Sequence, residues 1–315
     1  MPTTPEIAAL RDRILAGDLR ALARAATAVE NQSPSGRALL SSLFPQTGRA
    51  LIIGITGPPG AGKSTLVDQM VAHFRTAGKS VGVIAVDPSS PFTRGAILGD
   101  RIRMHRHHTD PAVFIRSMAS RGKLGGLARG TLEMALLLDA AGRDYVIVET
   151  VGVGQDEVEI ARLADVTVVV LVPGMGDDVQ AIKAGIMEIA DIFTINKADL
   201  PGAERLEQDI RAMQSVANDA GSPTAAPIRR IISTDGTGIA DLIEVIHSVH
   251  NTRPAQTRSA ATWSLRLTEW LRDELLASLP SDAISQHAAR VAAKIEDPYT
   301  ALAALTSLAK NSHGH

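Results

Sequence analysis

Gly57-Pro58-Pro59-Gly60-Ala61-Gly62-Lys63-Ser64 lies between an apolar run, Leu51–Thr56, and a stretch of helical periodicity that opens at Lys63. The eight residues satisfy G-x-x-x-x-G-K-[ST] at every position, and the strand before and helix after supply the context the motif needs. Glycines let successive backbone N–H groups turn inward around anionic oxygens, and the helix N-terminus adds its partial positive charge. A lysine at position 63 can reach β- and γ-phosphates, and the Ser64 hydroxyl can ligate Mg²⁺.

The rest of the chain agrees with a phosphate loop set in an α/β domain. Strands are predicted at Leu51–Thr56, Val81–Val86, Val113–Ile115, Tyr145–Glu149, Val166–Val172, Ile192–Ile195 and Ile228–Ile232. Helical patterns fall between them at Lys63–Ala77, Leu127–Ala141, Val179–Ala190 and Ala203–Ala220. Strand–helix alternation of this kind implies a doubly wound, mainly parallel sheet. Ahead of it, residues 6–30 read as one helix with Ile7, Leu10, Ile14, Leu15, Leu19 and Leu22 near one face. Breakers at Asn31–Gly36, a short helical piece at Leu39–Leu43 and a linker at Pro45–Gly48 follow. After Pro254 the strand signal ends, and Trp263–Leu279 and Asp282–Ala309 read as two helices broken at Leu279-Pro280-Ser281. The expected division is a helical extension at 1–47, a P-loop NTPase domain at 48–255 and a helical arm at 256–315.

Composition removes several function classes. The 315 residues carry a net charge of -2, which argues against a general nucleic-acid binder. Aromatics are 3% of the chain, so the core is built from Ala, Val, Ile and Leu, as suits strands covered on both faces. There are no cysteines, which excludes disulfides, thiolate metal sites and cysteine nucleophiles. Val166–Val172 is the longest strongly apolar stretch and is far too short to span a bilayer. The N-terminus has acidic residues and no apolar signal core, so a soluble cytoplasmic protein without a membrane partner is expected. His105, His107 and His108 lie close together, yet with no cysteine nearby a metal-delivery role is not supported, and His105 and His108, at i and i+3, are expected as surface or partner-facing groups.

Two further constellations narrow the nucleotide. Asn196-Lys197-Ala198-Asp199 follows a predicted strand and matches N-K-x-D. The Asp199 carboxylate can accept from guanine N1–H and the 2-amino group together, whereas adenine offers no matching donor pair; such a site discriminates strongly. Ser233-Thr234-Asp235 sits where a second base-contacting loop is expected, with backbone amides for guanine O6, or is an ordinary polar turn before a helix. Tyr145–Gly152 is an apolar strand ending in E-x-x-G: Glu149 can hold Mg²⁺ through water, and the Gly152 N–H can sense a γ-phosphate, which makes the following loop a switch. Gln155 is not placed to orient water as the glutamine of Ras-like enzymes does. Asp87, ending another strand, and Asp100 are candidates for a Mg²⁺ or attacking-water partner; a helix cap or turn salt bridge is the competing reading for each.

Longer stretches carry a resemblance. AVDPSSPFTRGAILGDRIRMHR at 85–106, FIRSMASRGKLGGLA at 114–128, VIVETVGVGQDEVEIA at 146–161 and PGMGDDVQAIKAGIMEIADIFTINKAD at 173–199 resemble the MeaB/ArgK family, a dimeric branch of the SIMIBI class of P-loop GTPases. The resemblance covers roughly residues 5–300. It implies a G-protein chaperone that gates adenosylcobalamin loading and protects or reactivates an adenosylcobalamin-dependent acyl-CoA mutase, chiefly methylmalonyl-CoA mutase. It implies a GTP/GDP site at Gly57, Pro58, Pro59, Gly60, Ala61, Gly62, Lys63, Ser64 and Thr65, with Asn196, Lys197, Asp199 and Ser233–Asp235. It implies a Mg²⁺ environment including Ser64, Asp87, Asp100 and Glu149, and marks Pro173 to about Lys183 as a further switch facing the mutase. An older description of relatives as lysine/arginine/ornithine transport kinases defines an alternative, as does a nickel metallochaperone. Relatives often have T-G-G where this chain has Thr93-Arg94-Gly95, and a solvent-facing Arg94 is expected. The Trp263, Leu267, Trp270 and Leu271 stripe reads as a homodimer interface, against the simpler alternative of packing onto the G domain. No arginine finger or standard glutamine is evident, so intrinsic hydrolysis is expected to be slow.

Asp199→Asn should weaken GTP binding strongly and shift preference toward xanthosine triphosphate, which has a carbonyl where guanine has its amino group. Calorimetry with both nucleotides checks this; undiminished GTP affinity in the variant would remove Asp199 from base recognition.

Overall fold

The computed structural model describes residues 4–87, 105–107, 109–119, 126–150, 156–174, 186–219, 225–252 and 260–312. Two compact units divide the chain, 1–258 and 259–315.

The first unit opens with helices α1 (Pro5–Leu15), α2 (Leu19–Glu30) and α3 (Pro34–Leu43). The single helix expected over residues 6–30 is two. Gly17 takes a left-handed φ of +83°, and Asp18 caps α2 by accepting from the Arg20 and Ala21 N–H groups at 2.9 and 3.1 Å. A glycine followed by an aspartate is a stop signal joined to a start signal. Leu22, Ala25, Ala26 and Val29 form the buried stripe of α2, and Glu30 at its end pairs with Arg116.

The sheet follows: β1 (Leu51–Thr56), α4 (Lys63–Thr76), β2 (Val81–Asp87), β3 (Val113–Ala119), α5 (Gly126–Ala140), β4 (Tyr145–Glu149), α6 (Asp156–Leu163), β5 (Val166–Leu171), α7 (Ile186–Ile189), β6 (Ile192–Ile195), α8 (Ala203–Asp219), β7 (Ile228–Arg230) and α9 (Ile239–Thr252). Seven strands lie in the order β3-β2-β4-β1-β5-β6-β7, and every pairing is parallel. β1, β5 and β6 are buried along their whole length, as expected of strands covered on both faces. Leu66, Val67, Met70, Val71 and Phe74 of α4 pack with Ile53, Ile55 and Ile147 on one face, joined by Leu242, Ile243 and Ile246 of α9. On the other face Gly54 leaves space for Ile160 and Ala164, its ideal Cβ position lying 3.0 Å from the Ala164 Cβ.

Aspartates pin the starts of the strands. Asp144, Asp165 and Asp191 accept from the N–H groups of Ser80, Ile52 and Thr167 at 2.8, 2.9 and 2.8 Å. Asp139, buried at 3% exposure, accepts from Gly48, Arg49 and Ala50, the last two at 3.0 and 2.8 Å. It ties the linker after the N-terminal helices to α5.

Predicted and observed elements differ at their edges. β3 runs on to Ala119, and β7 stops at Arg230 because Ile232 turns back to bridge Thr237. Of the helix expected over Val179–Ala190, Ile186–Ile189 is helical and residues up to 185 lie outside the described ones.

The second unit holds three helices, α10 (Ala260–Ala277), α11 (Ala283–Ala292) and α12 (Pro298–Ser312), where two were expected. The extra break falls at Lys294, with φ +57°, followed by Pro298 at a helix start, the position proline favours. Glu296 accepts from His287 and Arg290 at 2.8 and 3.1 Å and closes the α11–α12 turn. Trp263 and Trp270 meet edge to face at 6.3 Å, while Leu267 and Leu271 stand 56% and 61% exposed.

Asp139→Ala should destabilise the first unit by about 2–4 kcal/mol, because it removes the acceptor for three N–H groups. Urea unfolding measures this; a loss under about 0.5 kcal/mol would show that water or relaxation satisfies them.

Candidate functional site

The site forms at the carboxyl ends of the parallel strands, where ligands bind in open α/β sheets. β1 delivers the chain into residues 57–62, and this loop is crowded at Gly57 and Gly62, though not at Gly60. Gly57 holds φ +136°, and a Cβ there would lie 2.1 Å from the Val170 carbonyl oxygen of β5. Gly62 holds φ +86°, and a Cβ there would lie 2.4 Å from Asn196 Nδ2. At both positions the backbone conformation and the close neighbour require glycine. α4 then begins at Lys63 with no side-chain cap on its first turn, so its leading N–H groups suit an anion. The buried Lys63 donates from Nζ to the Gly57 and Pro58 carbonyls at 2.7 and 3.0 Å. Its ammonium therefore already lies over the loop.

Ser64 Oγ donates to Glu149 Oε1 at 2.6 Å, joining helix α4 to the end of β4 on the face that α4 covers. Both residues are buried. A hydroxyl and a carboxylate in contact are hard oxygen donors that suit Mg²⁺, which usually takes one or two protein ligands and completes its shell with water and phosphate. Among the described residues there is no group of three or more His, Asp or Glu side chains fit for a metal. Asp87 ends β2, two positions beyond Ala85, the register partner of Glu149. Its side chain, and all of Asp100, Arg94, Gly152, Gln155 and 175–183, lie outside the described residues. The chain is described again at His105–His107, where Arg106 and His107 pair with Asp68 of α4, His107 Nε2 at 3.1 Å. His107 is buried there, while the side chains of His105 and His108 lie outside the described residues.

On the base side, Asn196 is a junction. It is 2% exposed. Its Nδ2 donates to the Ala61 carbonyl of the phosphate loop at 2.8 Å. Its Oδ1 accepts from the Lys197 N–H at 2.8 Å and from the Ser233 N–H and hydroxyl at 3.1 and 2.9 Å. One amide thus joins the ends of β1, β6 and the segment after β7. Lys197, in a left-handed conformation with φ +54°, adds a second tie from Nζ to the Gly60 carbonyl at 3.0 Å. Asp199 is exposed. Ser233 is occupied with Asn196. Asp235 accepts from the Thr237 N–H at 2.8 Å, which holds its carboxyl below the usual carboxylate range, so the turn carries a full negative charge at neutral pH.

One pair went unread in the sequence. Thr150 Oγ1 donates to Thr56 Oγ1 at 2.9 Å, both buried, at the ends of β4 and β1. The sequence shows a threonine at the end of each of two apolar runs, but nothing local records that β1 and β4 are neighbours in the sheet.

A family model described as methylmalonyl-CoA mutase-associated GTPase MeaB matches residues 22–288. A protein of Pyrococcus abyssi is 46% identical over 302 residues, which span 93% of each chain. The GTPase ArgK of Escherichia coli is 38% identical over 269 residues, covering 83% of this chain and 81% of its own. A crystal structure titled LAO/AO transport system kinase superposes with a TM-score of 0.68 at 29% identity, covering 98% of this chain and 99% of that one.

Asn196→Ala would strand the Ser233 N–H and the Ala61 carbonyl at once. Affinity for both GTP and GDP should fall more than about tenfold and stability by about 2–3 kcal/mol. Calorimetry and thermal unfolding of the nucleotide-free protein check this. A drop in affinity with no loss of stability would mean that the amide acts on the ligand alone.

Proposed function

The chain belongs to the MeaB family of methylmalonyl-CoA mutase-associated GTPases, and from that premise we propose that it is the nucleotide-driven chaperone of an adenosylcobalamin-dependent acyl-CoA mutase. The GTPase activity itself follows from the family. The proposed extension is that the nucleotide state gates cobalamin loading and protects or reactivates the mutase, in the cytoplasm. Among the described residues no helix is long and apolar enough to cross a membrane.

The reading assigns each part of the site a task. Gly57–Thr65 wraps the phosphates with backbone N–H groups. Lys63 exchanges its carbonyl partners for β- and γ-phosphate oxygens. Asp199 reads guanine, with Asn196 and Lys197 holding its loop against the phosphate loop and Ser233–Asp235 closing the far side of the base. Ser64 and Glu149 would hold Mg²⁺, with Asp87 and Asp100 assigned beside them to metal or attacking water. The metal would supply charge neutralisation for the phosphates. Hydrolysis then works by positioning and charge stabilisation. With no arginine finger assigned, a slow intrinsic rate leaves room for the partner to complete the site.

The observation that carries the coupling is the contact of Gly57 with Val170. Just past that contact β5 ends at Leu171 and the chain turns at Pro173 and Gly174, the latter in a left-handed conformation at φ +86°. A shift of the phosphate loop on hydrolysis is thereby felt at the root of residues 173–183, the proposed mutase-facing switch. Gln180 and Lys183, three apart in sequence, lie outside the described residues; their spacing is the one that puts two side chains on one face wherever a helix forms. The C-terminal unit, residues 256–315 in the proposed division, is assigned to self-association. Support comes from Leu267, Leu271 and Leu302, each more than half exposed.

Lys183→Ala should leave intrinsic hydrolysis and GTP affinity within a few-fold, about 1 kcal/mol or less. It should abolish most of the acceleration of hydrolysis by methylmalonyl-CoA mutase. Phosphate release with and without the mutase is the measurement. Full stimulation in the variant would remove Lys183 from coupling, and phosphate appearing on a protein instead of free in solution would favour the transport-kinase reading.

A further inference from the structure

Two threonine hydroxyls meet where the two central nucleotide-bearing strands end. Thr56 closes β1 and Thr150 immediately follows β4, at 0% and 3% exposure. Besides the bond between their hydroxyls, the Thr150 N–H donates to the Ile55 carbonyl at 3.0 Å. This carries the β1–β4 ladder one step past its last register pair, Ile55 with Glu149. Side chains alternate along a strand, so Thr56 and Thr150 lie on the face opposite Ile55 and Glu149. That is the face on which Gly54 meets Ile160 and Ala164. The strand ends are therefore fastened from both sides, by Ser64 with Glu149 on the α4 face and by the threonine pair on the α6 face. Beyond Thr56 the chain enters the phosphate loop; beyond Thr150 it enters 151–155, which holds Gly152 of the E-x-x-G motif.

We propose that Thr150 is a positioning residue for GTP hydrolysis, whose bond to Thr56 sets the spacing between the phosphate loop and the strand end that carries Glu149 and leads to Gly152. The proposal deepens the GTPase reading and rests on the assignment of Glu149 to the metal and of Gly152 to the γ-phosphate. A hydroxyl pair suits this task because it is directional, while the methyl groups of the same residues fill the apolar face without fixing a distance. Neither hydroxyl belongs to the base-reading loop or supplies a phosphate-loop N–H. Its loss therefore acts on the alignment of the γ-phosphate side, where small displacements cost rate, and leaves ground-state binding largely intact.

The test is steady-state hydrolysis, GDP calorimetry and Mg²⁺ titration of turnover on four full-length variants. Thr150→Val keeps the shape and removes the hydroxyl. It should lower kcat about tenfold with GDP affinity within about twofold, and should raise the Mg²⁺ concentration for half-maximal turnover. Thr150→Ser keeps the donor and should recover kcat to within about threefold of the unmodified protein. Thr56→Val with Thr150→Val should be no slower than about twofold below Thr150→Val alone, because both changes remove one bond. Glu149→Gln reports on the underlying assignment. Should Thr150→Val fail to fold, Thr56→Val alone removes the acceptor of the same bond and should show the same fall in kcat and the same change in Mg²⁺ dependence; unchanged values there would equally overturn the positioning role. Unchanged kcat in Thr150→Val, or equal losses of GDP affinity and kcat, would overturn the positioning role while Glu149→Gln still alters the Mg²⁺ dependence. An unaltered Mg²⁺ dependence in Glu149→Gln would overturn the metal assignment and the proposal with it.

Discussion

The approach of the Asn196 amide to the phosphate loop is the contact on which the site depends. Asn196 Nδ2 reaches the Ala61 carbonyl, and the space it occupies is the space a side chain at residue 62 would need. Its Oδ1 meanwhile takes both donors of Ser233. A buried amide with its donor and acceptor groups engaged is rigid and costly to disturb. One side chain thus ties residue 61, in the loop after β1, to Ser233 after β7. On the proposed assignment, phosphate binding and base recognition would share it, and a disturbance at one would pass directly to the other.

The remaining architecture serves to keep those strand ends in register. The aspartates at the opposite end of the sheet, Asp144, Asp165 and Asp191, bind neighbouring strands where they start. Full burial of β1, β5 and β6 leaves little freedom for sliding, since a one-residue slip would reverse every side chain. The N-terminal helices are joined to this frame through Asp139 and through Arg116 with Glu30. The last of these reaches β3, the edge strand whose continuation holds part of the family-like sequence.

Much of this was legible in the sequence, for identifiable reasons. β1, β4 and β6 were read to the residue because each is a run of β-branched and aliphatic side chains with an abrupt polar or glycine boundary. The motifs at 57–64 and Asn196–Asp199 stand out in the sequence because they fix residue types at fixed spacing, and the structure places both at the carboxyl ends of strands, after β1 and β6. The break at Ala16-Gly17-Asp18 was overridden by the apolar periodicity on either side, although Gly17 and Asp18 are themselves the stop and the cap. The break before Pro298 was missed in the same way. Thr56 with Thr150 was out of reach because their contact depends on strand order: β1 and β4 are neighbours in the sheet though far apart in the chain, and no local pattern records that.

The unity of the phosphate and base sites is tested most directly by hydrogen exchange of backbone amides with and without GDP. The account predicts that GDP protects residues 57–65, 196–199 and 233–237 together, and that Asn196→Ala uncouples the last two from the first. Protection confined to 57–65 in the unmodified protein, with the other two segments exchanging as in the absence of nucleotide, would contradict it.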